Sequence, residues 1–511
     1  MKKLSGIIMG IAVALLTACT PHTEYTNALP KDASVIMAFD VESMAGKAGL
    51  HGKEGDALTE KIIGLVRSGL EGDAGKLAEK VVKDPSESGL SLKDKVYFFA
   101  TPHANAFGLL LKVDDEGSLE DIFEALQKEQ LCTSVQEESG CRWTQLGGVL
   151  CTFNNGTFLM MKNRLGDVEN IKGTAFMLMR QKEGEGFSAG TELTELKQQG
   201  SDIVSVVDLS VLPDRITTPL RMGLSGDIRL QDVKYLVDAN FEQGRVVVEA
   251  RSLTTNSKIK GFYKEMDQVT SVVQGKYLEY YPANTFAWTG GRIQGKSFYD
   301  MVSGNPTLRQ ELLNPELPID MERIFSSIEG DYAMAYTSLL TEDFLIYADV
   351  THSSFLETFE ELRPLLALTG GQIQLFDTAE NQYALKTMEG IYWFGVKGNL
   401  LYITNRRNLA EEAGRRYGVS LQNLPWAGEV LKNRMYASVN FSKLQSDIKI
   451  DPYLLSPLGD QQAIAVVKAL IGACETMNVC MPDWSCGKME LVLKDKKKNA
   501  LQLAVQIIEQ I

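Results

Sequence analysis

Leu29-Pro30-Lys31-Asp32-Ala33-Ser34 runs straight into Val35-Ile36-Met37-Ala38-Phe39, and much later Tyr281-Pro282-Ala283-Asn284-Thr285 runs into Phe286-Ala287-Trp288 in the same way. Proline holds its own φ near the extended value and turns the chain, and an apolar run after it reads as a strand. What decides the fold is that the succession behind each copy is also shared. Phe107 to Val113 and then Leu119-Glu120-Asp121-Ile122-Phe123-Glu124-Ala125-Leu126 answer to Phe344 to Val350 and then Leu356-Glu357-Thr358-Phe359-Glu360-Glu361-Leu362. Thr157 to Arg164 answers to Asn399 to Arg406, and Ile203 to Ser210 answers to Met435 to Ser442. A period of roughly 235 to 250 residues occurring twice is a domain duplication, much longer than a solenoid repeat.

Within each half the strands are joined by tight turns, Gly147-Gly148, Asn154-Asn155-Gly156, Glu389-Gly390 and Lys397-Gly398-Asn399. Connections that short force antiparallel pairing, because a parallel crossover takes a dozen residues or more. Helical periodicity lies between the strand groups at Ala57 to Leu70, Leu119 to Gln130, Lys258 to Gln274, Phe355 to Leu366, Asn408 to Tyr417 and Gln461 to Cys474. The fold class expected is therefore α+β, a tandem duplication of a mostly antiparallel sheet domain with helices on one face. Residues 28–257 form the first repeat, 258–275 a linking helix and 276–511 the second repeat. Each repeat is expected to close on a hairpin, Val233 to Phe241 with Arg245 to Leu253 and Met489 to Leu493 with Ala500 to Ile508. The basic run Lys494 to Lys498 then reads as a solvated hairpin tip. The copies should differ most between Asp40 and Lys95 against Thr289 and Gly330, and in a Cys474 to Cys486 loop particular to the second.

Ahead of the repeats, Lys2 and Lys3 precede an apolar stretch, Leu4 to Leu16, that ends in Leu16-Thr17-Ala18-Cys19. Residues 1–18 read as a signal peptide, too short to span a bilayer. The Leu-Thr-Ala-Cys ending resembles the lipobox of bacterial lipoproteins, which implies that Cys19 is lipidated and becomes the first residue of the mature chain, with 19–27 a tether. Acyl chains contribute about 0.8 kcal/mol per buried methylene, so two or more on one residue hold a soluble body on a membrane. Thr20 stands where an Asp would favour retention in the inner membrane, and the run behind it, Thr20-Pro21-His22-Thr23-Glu24-Tyr25, carries one acid only. The expected address is the outer membrane, at its periplasmic face.

The chain has 511 residues, 44% hydrophobic and 23% charged, with a formal charge of −14. That length calls for at least two cores, and the acidic balance argues against nucleic acid or anionic lipid as a partner. Beyond Cys19 there are six cysteines, Cys132, Cys141, Cys151, Cys474, Cys480 and Cys486, and four histidines, His22, His51, His103 and His352. An oxidising compartment permits disulfides without requiring them, and the absence of any C-x-x-C argues against a zinc site.

Gly290-Gly291-Arg292-Ile293-Gln294-Gly295-Lys296-Ser297 satisfies the P-loop pattern. Against nucleotide binding stand the antiparallel surroundings, an envelope without ATP, and the first repeat, where Val41-Glu42-Ser43-Met44-Ala45-Gly46-Lys47-Ala48 lacks the first glycine and the hydroxyl. The shared Gly-Lys is expected to mark one strand-to-helix connection used by both copies. There is no G-x-S-x-G and no H-E-x-x-H, and Ser257-x-x-Lys260 lacks its companion motifs. Asp114-Asp115 and Glu360-Glu361 read as solvated acids and Ile391-Tyr392-Trp393-Phe394 as a core strand. No catalytic residue, cofactor or metal site is expected.

The lipobox, the opening Leu29 to Asp40 and the duplicated body together resemble a family of large Bacteroidetes lipoproteins known only as a domain of unknown function. The likeness covers the mature chain and implies fold and address, with no activity to carry over. The function expected is a lipid-anchored, non-enzymatic binding or assembly module of the periplasm, with a protein or glycan partner. A hydrolase acting on envelope polymer or imported glycan is the alternative.

Overall fold

A computed structural model describes residues 24–50, 53–69, 72–102, 105–189, 192–198, 200–212, 228–305, 308–310, 318–338, 341–443 and 461–510. The chain is α+β and divides into two compact units, one ending at Val207 and the other beginning at Asp208. No helix among the described residues is long and apolar enough to cross a membrane.

The first unit contains β1 (Val35–Phe39), β2 (Leu90–Ser91), β3 (Val96–Thr101), β4 (Ala106–Val113), β5 (Gln136–Glu138), β6 (Cys141–Leu146), β7 (Val149–Asn154), β8 (Thr157–Asn163) and β9 (Ile203–Asp208). All pairs are antiparallel, and the ladder runs β9, β1, β3, β4, β8, β7, β6, β5, with β2 alongside the end of β4. The proline-led run thus becomes a central strand, Val35 lying opposite both Val207 and Ala100. The helix Glu116–Lys128 starts on Asp115, whose carboxylate accepts from the Gly117 amide. It buries Leu119 and Phe123 against the sheet, and Phe123 stacks on Phe153 at 5.5 Å between ring centres.

The second unit contains β10 (Lys234–Glu242), β11 (Arg245–Ser252), β12 (Ala287–Gln294), β13 (Ile328–Ser338), β14 (Asp343–Val350), β15 (Gln374–Ala379), β16 (Gln382–Lys386), β17 (Ile391–Lys397), β18 (Leu400–Thr404), β19 (Met435–Asn440), β20 (Cys474–Asp483) and β21 (Cys486–Leu493). One antiparallel ladder runs β15, β16, β17, β18, β14, β13, β12, β19, β20, β21, β11, β10. Read from β19 outward it goes β12, β13, β14, β18, β17, β16, β15, the same succession by chain order as in the first unit. Ala287 lies opposite Val439 and Tyr336, as Val35 lies between Val207 and Ala100. The core holds Trp288, Tyr281, Tyr347, Tyr402, Trp426 and Tyr436.

Four expectations need correction. Residues Ala500–Gln510 form a helix, because the Asn499 side chain accepts from the Leu501 amide and caps it, and Ala500 packs beside Cys474 and Leu493. The closing hairpin is β20 with β21, so Cys474 to Cys486 is strand and tight turn where a loop was expected. The run Lys494 to Lys498 accordingly joins a strand to a helix and is no hairpin tip. Finally, the two Gly-Lys pairs are not equivalent: Gly46-Lys47 ends the helix Val41–Lys47, whereas Gly295-Lys296 begins the helix Gly295–Gly304. The hairpin β10–β11, counted by sequence with the first repeat, hydrogen-bonds to β21 in the second unit.

Candidate functional site

Cys19, His22, His51 and His103 lie outside the described residues. The P-loop match resolves into strand: Gly290 and Gly291 sit in β12 between β13 and β19, so their backbone is committed to a ladder and cannot cradle phosphate. Their glycine character has a packing cause. A Cβ on Gly290 would stand 2.6 Å from the Trp288 ring, and one on Gly291 would stand 2.4 Å from the Tyr332 hydroxyl. Lys296 is held by Asp300 at 2.7 Å and Glu322 at 3.0 Å. Lys47 is held by Asp202 at 2.7 Å. Among the described residues no group of His, Cys, Asp and Glu could hold a metal, and the six cysteines are free thiols. Asp114, Asp115, Glu360 and Glu361 do not converge on a cleft; Asp115 caps a helix and Glu360 pairs with Arg363.

The feature that sequence reading missed is a cavity of about 530 Å³ in the second unit. Period-two alternation puts Ser438 and Asn440 of β19 on one face, and the register sets them opposite Asn478 and Thr476 of β20. Four hydroxyl and amide side chains therefore form a square patch on adjacent strands. Asn478 in turn faces Glu490 of β21, and Val492 faces Arg245 of β11. Trp288, opposite Ser438, begins an apolar wall that continues through Leu421, Leu424, Pro425 and Trp426. Trp426 packs 5.9 Å from Trp288 and stacks on Tyr436 at 5.3 Å.

Each charged side chain lining this cavity is held in an ion pair, some with partners outside the lining. Arg245 pairs with Glu490 at 2.6 Å, Glu429 with Lys432 at 2.8 Å, and Glu475 with Lys496. Ser438 donates to the Asn478 side-chain oxygen at 2.8 Å, which is the only hydrogen bond of that side chain among the described residues. Asn478 is 6% exposed and lines the cavity, and its amide N–H₂ donates no hydrogen bond among the described residues. The buried Trp288 indole N–H likewise finds no acceptor among the described residues. Buried polar groups are normally satisfied, so the unpaired Trp288 N–H is an exception that needs a cause.

One end of the cavity is built by a turn. Gly244, at φ +72°, lies so close to the lysine loop that a Cβ there would stand 2.8 Å from the Lys496 Cα. The Gly244 amide donates to the Lys498 carbonyl at 2.8 Å, and the Gly244 carbonyl accepts from the Leu493 amide at 2.9 Å. The signal available in the sequence was Thr476-x-Asn478, a polar alternation inside a strand bounded on both sides by others.

No curated protein is significantly similar in sequence. Crystal form IV of TP0453 is 10% identical, with a TM-score of 0.28 over 45% of this chain and 81% of that one. Crystal form I of the same protein gives 10% and 0.28 over 49% and 88%. Similarity at that level carries no argument. The family described as Domain of unknown function (DUF4836) matches residues 25–501, nearly the whole body whose strands and cavity are described above, and the chain belongs to that family.

Proposed function

We propose that this chain is a lipid-anchored envelope protein, held through Cys19 at the periplasmic face of the outer membrane, whose body is a non-enzymatic binding module built from two copies of one α+β fold. The observation that carries binding is the cavity, where the Asn478 amide N–H₂ donates no hydrogen bond among the described residues and stands beside an apolar wall, while every lining carboxylate is held by a cation. Such concave sites with a few convergent polar groups are where ligands bind. Supporting the duplication is the matching strand succession, together with a hairpin and a following helix in each copy, β10–β11 before Ser257–Val269 and β20–β21 before Ala500–Gln510. On this reading the helix expected to link the repeats is the first copy's counterpart of the last.

The anchor is tested by Cys19→Ser, which should shift the protein from the membrane to the soluble periplasmic fraction; unchanged fractionation refutes it. A hydrolase is the second reading, favoured by Glu429, Glu475 and Glu490 lining one cavity. It predicts release of reducing ends from an envelope polymer or an imported glycan, lost in Glu490→Gln.

A further inference from the structure

Resting on the binding reading above, the geometry points to a specific ligand class: we infer that the cavity of the second unit takes a short neutral saccharide. Three features of the site select it together. The square patch of Ser438, Asn440, Thr476 and Asn478 is uncharged, with spacings of about 5 Å across the strands and about 7 Å along them; Ser438 donates to Asn478 and Asn440 accepts from the Ser442 amide, so the Thr476 hydroxyl and the Asn478 N–H₂ are the groups it turns to a ligand. A partner must present several hydroxyls to that patch at once, and the Asn478 N–H₂ has no other use among the described residues. Opposite polarity is supplied by the wall of Leu421, Leu424, Pro425 and Trp426, which suits the C–H faces of a sugar ring and is wasted on a fully polar ion.

Charge makes the third selection. A charged ligand would have to break Arg245–Glu490 or Glu475–Lys496 to gain a counter-ion, whereas a neutral one leaves both intact. The volume of about 530 Å³ admits a mono- or disaccharide and stops short of a polymer held along its length. The positions matching Trp288 and Ser438 in the first unit, Ile36 and Val206, are apolar and buried, so the patch is particular to the second.

The test uses the full lipoprotein in a zwitterionic detergent without a sugar headgroup. Intrinsic tryptophan fluorescence and saturation-transfer NMR are read against maltose, cellobiose, N,N′-diacetylchitobiose, glucose 6-phosphate and the dipeptide Ala-Ala. At least one neutral disaccharide should bind saturably and more tightly than the phosphate. Asn478→Leu should weaken it by about tenfold or more, and the half-buried Thr476→Val should weaken it in the same direction if the first variant misfolds. Preference for the dipeptide or the phosphate would overturn the saccharide and leave binding standing. No binding of any probe by folded protein would overturn both. The Cys19→Ser fractionation is indifferent to either result, so the anchor is judged separately.

Discussion

Val248 of β11 and Met489 of β21 lie opposite each other, and the register is symmetric about them: Arg245 faces Val492 as Arg251 faces Cys486. Arg245 and Cys486 are each the first residue after a two-residue turn, so the two hairpins meet edge to edge at matching positions. If they are copies, Arg245 and Cys486 hold equivalent positions in them. Overlaying β9, β1, β3, β4, β8, β7, β6 and β5 on β19, β12, β13, β14, β18, β17, β16 and β15 should then carry the helix Glu116–Lys128 onto the segment 357–367. An overlay that places those helices on opposite faces sinks the duplication.

Asp331 of β13 is 1% exposed and accepts from the amides of Gln274 and Lys276, at 3.0 and 3.2 Å, and from the Arg292 guanidinium at 3.0 Å. It pins the segment after the helix Ser257–Val269 onto the sheet. Asp331→Ala orphans two amides and a cation at once, and a loss of about 3–5 kcal/mol is expected in urea unfolding of the second unit. A loss no larger than that of an exposed Asp→Ala control would show the segment is held by other means.

Gly244→Val places a branched side chain at positive φ and against the Lys496 backbone. Strain and collision together should cost about 1–3 kcal/mol and open the end of the cavity. Thermal unfolding reads the first effect, and weaker protection of the Leu493 amide in hydrogen exchange reads the second.

Burial pushes the Cys151 thiol from its ordinary 9.0 up to about 12, with the neighbouring Cys132 adding to the effect. The folded state thus favours the neutral thiol. Its stabilising contribution is complete below pH 9 and is lost as pH rises from 9 through about 12. Alkylation by iodoacetamide at pH 8, followed by peptide mass mapping, should find Cys151 unmodified in folded protein and modified in urea. Equal labelling in both states would contradict the burial.

Lys296→Ala should leave calorimetric titration with magnesium ATP as flat as for the unaltered protein, because the glycines of the motif are strand and the lysine serves Asp300 and Glu322. A measurable affinity abolished by the substitution would reinstate the P-loop.

The strand succession was legible because alternation and turn residues act locally: Val35 to Phe39, Phe107 to Val113 and Asn399 to Arg406 each announce themselves within eight residues. The last elements misled for an equally local reason. Val505 to Ile508 is rich in β-branched side chains and reads as strand, while the Asn499 cap that makes it helical is a single residue. The cavity was illegible because register assembles it. Arg245, Trp426, Ser438, Asn478 and Glu490 are spread over half the chain, and none is unusual where it stands. The P-loop shows the converse, a pattern complete in sequence that packing against Trp288 and Tyr332 explains in full.

Arg245 and Glu490 are 245 residues apart in the chain. The hydrogen bonds that β11 makes to β21, unlike those to its hairpin partner β10, therefore wait for nearly the last residues to be delivered, which makes contact order high and this pairing slow. Until β21 arrives, Val246 and Val248 sit on a bare strand edge able to accept a neighbouring molecule. A chain cut short before Cys486 should aggregate through that edge, so during synthesis this half needs protection from self-association until its last strand has been made.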